Sequence, residues 1–80
     1  MNIQKIFNSI KEDCKHLKFY IFSLEEHNKD FYTIKIKSTH RLNLFTATII
    51  EKSIIFCKLY NFRMSFSDTK IILESQDDDK

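Results

Sequence analysis

Three histidines (His16, His27, His40) and two cysteines (Cys14, Cys57) are the side chains of this 80-residue chain best suited to holding a metal. Their spacing speaks against it, because no CxxC, HxxxH or HExxH pattern occurs. Cys14 and His16 fall two apart in a helical pattern, so they diverge by about 200° and cannot grip one ion together. Nucleophilic catalysis has no better footing: Cys14 sits on the apolar stripe, where a thiol is inert rather than activated. The neighbouring carboxylates Glu12-Asp13, Glu25-Glu26 and Asp77–Asp79 read as solvated charge. A carboxylate pair doing general acid–base work also needs a cleft that so short a chain can hardly build. Glycine is absent, so P-loops, dinucleotide-binding fingerprints and nucleophile elbows are excluded together. The expectation is a protein that is not an enzyme and uses no metal or cofactor.

Binding chemistry is better represented. Residues 29–65 carry a net charge of +5, flanked by a neutral segment 1–28 and an acidic segment 66–80 of −3. Lys35 and Lys37 alternate outward on the same face as Phe31, and Lys58, Tyr60, Arg41 and Arg63 could extend that face. A basic groove with aromatic platforms is how sheets hold single-stranded nucleic acid. No RNP-type motif, KH loop or helix-turn-helix pattern accompanies it, and only two of the thirteen basic residues are Arg. The bland counterpart is lysine that merely solubilises an exposed strand.

The elements that position these residues follow from periodicity. Ile3, Ile6, Phe7, Ile10, Cys14 and Leu17 recur at helical spacing, which predicts an amphipathic helix over 2–17 capped by Asn2. From there the period changes to two. Lys18–Leu24 reads as a strand, Glu25–Asp30 as a turn and Phe31–Ser38 as a strand with Tyr32, Ile34 and Ile36 inward. Thr39-His40-Arg41 turns the chain. Leu42–Ile50 and Ser53–Tyr60 read as two strands joined through Glu51-Lys52, with Phe62, Met64 and Phe66 continuing the alternation. Thr69–Glu74 reads as a closing strand, the alternative being a helix capped by Ser67. The expectation is one α+β domain over residues 1–75, an N-terminal helix packed on one face of an antiparallel β-meander of four to five strands, with 76–80 read as a disordered acidic tail.

On that reading one helix covers one face, yet several strands are apolar on both. The second face must then be covered by sheet curling, by another copy of the chain or by a target protein. The leading expectation is therefore a small protein-binding module. Its partner-binding residues would be Phe31, Lys35, Lys37, Lys58, Tyr60 and Arg63, acting on a protein target, which could itself handle nucleic acid, with a homodimer as a further partner. The alternative is a small single-stranded nucleic-acid-binding domain. Isoleucine, lysine and phenylalanine in place of glycine, proline and alanine suit an AT-rich genome, such as that of a low-GC bacterium or its phage. In general type the chain is similar to small anti-defence inhibitors such as the anti-CRISPRs, which are diverse in fold; that resemblance implies steric blocking of a larger host complex. No run approaches the roughly 18 apolar residues of a membrane span, and no targeting segment is evident. Two thiols within apolar patterns suit a reducing cytoplasm.

Overall fold

The computed structural model describes residues 2–40 and 45–76. The chain order is α1 (Ile3–Asp13), β1 (Tyr20–Asn28), β2 (Phe31–Ser38), α2 (Ala47–Tyr60), β3 (Phe62–Ser67) and β4 (Lys70–Ser75). This is the expected α+β architecture, an N-terminal helix with a four-stranded antiparallel sheet, joined by a second helix. The strands run in the order β1-β2-β4-β3, so the sheet is two hairpins with β4 returning between β2 and β3.

Local chemistry accounts for each boundary. The Asn2 side chain accepts from the N–H groups of Gln4 at 3.0 Å and Lys5 at 3.3 Å, satisfying donors that the first turn of α1 leaves open. Ile3, Ile6, Phe7 and Ile10 are buried on one side of the helix, and Cys14 beyond its end is buried with them. Phe19 then enters β1 at φ 74°, a region unfavourable for a bulky side chain. The first strand runs on through Glu25 and Glu26, which pair with Thr33 and Tyr32, so the turn expected over Glu25–Asp30 shrinks to Lys29-Asp30. There the Asn28 side chain accepts from the Asp30 N–H at 2.8 Å, doing without glycine what glycine usually does. Asn61 (φ 60°) and Asp68 (φ 48°) take the other left-handed positions, after α2 and in the β3–β4 turn.

One expectation is overturned. Residues 47–60 form a single fourteen-residue helix, so neither Ser53–Tyr60 nor the described end of Leu42–Ile50 is a strand, and Glu51-Lys52 lies in mid-helix. The Thr46 side chain caps it, accepting from the Ile49 N–H at 3.4 Å. The run contains no glycine or proline to break it, and a turn at Glu51-Lys52 would have had no turn-forming residue. Apolar residues on every side satisfied a strand pattern and a helical one equally. Arg41, residues 42–44 and the tail residues 77–80 lie outside the described residues. Thr69–Glu74 is strand as expected, within β4, not helix.

The core lies between the helices and one sheet face. Cross-strand partners share a face, so Phe22, Ile36, Ile71 and Phe66 make one inward row and Leu24, Ile34, Leu73 and Met64 the next. Ile34, Ile36, Ile71 and Leu73, on the two central strands, are fully buried. They join one cluster with Ile3, Ile6, Phe7 and Ile10 of α1 and Ile49 and Phe56 of α2. Ser53 of α2 is buried too, its hydroxyl donating to the Ile49 carbonyl at 2.8 Å. Lys52 reaches Asp13 at 3.1 Å and ties α2 to the end of α1.

Candidate interaction surface on the open sheet face

The other sheet face carries no helix among the described residues, and it is polar rather than apolar as the sequence suggested. Its rows are Ile21–Lys37–Lys70–Ser67, Ser23–Lys35–Ile72–Ser65 and Glu25–Thr33–Glu74–Arg63. The apolar surplus lies elsewhere: with strands 42–50 and 53–60 replaced by α2, Ile54, Ile55 and Leu59 are exposed on that helix.

Of the expected contact residues, Phe31, Lys35 and Lys37 share this face of β2, and Arg63 joins them from β3, two strand spacings or about 10 Å away. Lys58 and Tyr60 do not. Both lie in the last turn of α2, in the layer behind the sheet, where Tyr60 packs against the core beside Phe62. Their assignment to this face is corrected, because it rested on a strand that is a helix. Lys70 takes their place. The sequence pattern puts Lys70 on the closing strand but assigns it no face, since only the β2–β4 register decides what it stands beside.

The electrostatics differ along the face. Lys35 donates to Glu25 at 2.9 Å, a bond that holds the Glu25 carboxyl below the usual carboxylate range. His27 bonds Thr33 Oγ1 at 2.9 Å, and its ring lies 4.8 Å from that of Phe31, which closes the glutamate-bearing end. At the other end Lys37 and Lys70 stand directly opposite one another, and neither forms an ion pair among the described residues, although the charge of Lys70 adds weakly to the lowering of Glu25. Tyr32 donates its backbone N–H toward β4 at Ser75 Oγ, which places Lys37–Lys70 at a pair without hydrogen bonds, where side chains approach most closely. Like charges so placed are unfavourable by about 0.2–1 kcal/mol. An anionic group between the two ammonium groups would remove that repulsion.

No three His, Cys, Asp or Glu side chains gather as a metal site among the described residues. A concavity on the solvent side of α1 is lined by Lys5, Asn8, Ser9, Glu12 and Asp13, all from one helix, so its walls cannot enclose a substrate. No helix is long and apolar enough to cross a membrane among the described residues. Cys14 is buried and Cys57 half-buried, both thiols are free, and burial pushes both up from the ordinary thiol range. The chain matches no family model, no curated protein and no solved structure.

Proposed function

We propose that this protein is a non-catalytic binding module whose open sheet face docks on an acidic surface of a larger protein, with Lys37 and Lys70 as its centre. The observation that carries the reading is that pair: two lysines face to face on the central strands of a sheet, neither in an ion pair among the described residues. Lysine on an edge strand guards against aggregation, but β2 and β4 are not edges and need no guard. Ser23, Ser65 and Ser67 surround the pair with hydroxyls that can take up carboxylate or backbone partners, and Ile21 and Ile72 add apolar contact.

A protein partner fits better than single-stranded nucleic acid. Base stacking needs aromatic side chains in the middle of the sheet. Here the middle is Ser23, Lys35, Ile72 and Ser65, with Phe31 at the margin. Glu25 and Glu74 would also repel a continuous phosphate backbone. Steric obstruction of a larger complex, as an inhibitor of phage or mobile-element origin would exert, is the mechanism such a face supports. Two free thiols accord with a reducing, cytoplasmic setting.

The test is a capture experiment from a low-GC bacterial lysate, with and without nuclease, using the wild type and the double variant Lys37→Glu/Lys70→Glu. Reversing both charges keeps a like-charge pair at that position and changes the sign of the face, at the cost of the attraction between Lys70 and Glu25, so circular dichroism first confirms that the variant is folded. The expected outcome is a stoichiometric protein partner that survives nuclease and whose affinity falls about tenfold or more in the variant. Loss of all partners on nuclease treatment, with affinity falling steeply as salt rises, would transfer the assignment to nucleic acid.

A further inference from the structure

We propose that β3 pairs antiparallel with β3 of a second copy of this chain about a twofold axis at Ser65, joining two four-stranded sheets into one. The sheet order leaves β1 and β3 as edges, and the two edges differ. The β1 edge carries Glu25 and Glu26 and a register irregularity between Glu26 and Asn28, devices that discourage a further strand. Along β3 all six residues keep unbroken register with β4, and the strand contains no Lys, no Pro and no bulge.

The hydrogen-bond parity defines what the edge offers. Ser67 and Lys70 flank a two-residue turn, so Arg63, Ser65 and Ser67 direct their main-chain groups to β4. The Gln76 N–H bond to the Asn61 carbonyl at 3.1 Å keeps the same phase. Phe62, Met64 and Phe66 therefore direct theirs outward. The Phe62 carbonyl accepts from the Gln76 side chain at 3.2 Å, which leaves the groups of Met64 and Phe66 for a partner strand. A twofold axis at Ser65 sets Met64 against the partner's Phe66 and Phe66 against the partner's Met64, and it uses all four of those N–H and C=O groups in each copy, once each, for four hydrogen bonds.

Side chains agree with that register. Phe66 points to the core side yet is 59% exposed, because it stands at the sheet's rim. In the pair it lies on the partner's half-buried Met64, a favourable sulfur–aromatic combination. On the open face Arg63 comes opposite the partner's Ser67, one residue from the partner's Asp68. Neither Arg63 nor Asp68 has an ion-pair partner among the described residues, so the pairing creates two opposite-charge contacts by symmetry. Ser65 meets the partner's Ser65 with no charge opposed.

Sedimentation velocity across micromolar to millimolar concentrations tests the proposal on the full chain. The wild type is expected to pass from monomer to dimer and to associate more tightly at low salt. Ser65→Lys sets two ammonium groups directly opposite on the axis and should raise the dissociation constant about fivefold. Asp68→Asn keeps a residue that tolerates the left-handed turn, removes both ion pairs and should weaken the dimer and flatten its salt dependence. Circular dichroism confirms that each variant is folded; Asp68→Asn decides the matter if Ser65→Lys is not. A wild type that stays monomeric to millimolar concentration, or a dimer indifferent to the folded variants, overturns the proposal.

Discussion

At the scale of single residues, the open face divides, among the described residues, into an end with an ion pair and an end without one. Glu25 is held below the usual carboxylate range first by its hydrogen bond from Lys35 and then by that ammonium's charge. Replacing Lys35 with Met should return the Glu25 titration upward toward the ordinary value, as followed by carboxyl carbon shifts in an NMR pH series. The sign follows from linkage: a carboxyl depressed in the folded state stabilises above its unfolded pKa, and that contribution is lost as pH falls through the folded value. An unchanged Glu25 titration in the Met variant would show that Lys35 does not hold it. Lys37 and Lys70 have no such hydrogen-bonded carboxylate among the described residues, and that difference, not the number of lysines, singles out their end of the face.

At the scale of elements, α2 is the part most dependent on its ends. Six of its residues are isoleucine, phenylalanine or threonine (Thr48, Ile49, Ile50, Ile54, Ile55, Phe56), which lose side-chain freedom in a helix. Thr46 offsets this. Its hydroxyl caps Ile49, and its own N–H donates to the Tyr20 hydroxyl at 2.9 Å, fastening the start of the helix to the first residue of β1. Thr46→Ala should cost about 0.5–2 kcal/mol and lower the melting temperature by several degrees in calorimetry. A variant that melts with the wild type would mean that tertiary packing alone holds the helix start. Asn61 closes the other end in the left-handed conformation, so the chain turns into β3 without a glycine.

At the scale of the whole molecule, a chain of this length buries only about 60% of the surface its unfolded form exposes, so stability rests on few side chains. Ile36 is completely buried at the centre of the inward face, between Phe22 and Ile71. Ile36→Ala should cost about 2–5 kcal/mol, read from the urea midpoint, a large share of what so small a domain has. A loss below 1 kcal/mol would mean that the helices do not press on the sheet as described.

The sequence alone determined α1, with its Asn2 cap and buried stripe, because an amphipathic helix is written in local spacing. It determined the inward and outward alternation of β2 for the same reason, and with it the shared face of Phe31, Lys35 and Lys37. It could not determine α2, since a run that is apolar on every side suits a helix and a pair of strands alike, and burial against the sheet makes the choice. Lys58 and Tyr60 were misplaced with it. The opposition of Lys37 and Lys70, 33 positions apart in the chain, exists only through the β2–β4 register. No local pattern carries that information, because which strands become neighbours is settled by how the whole core closes.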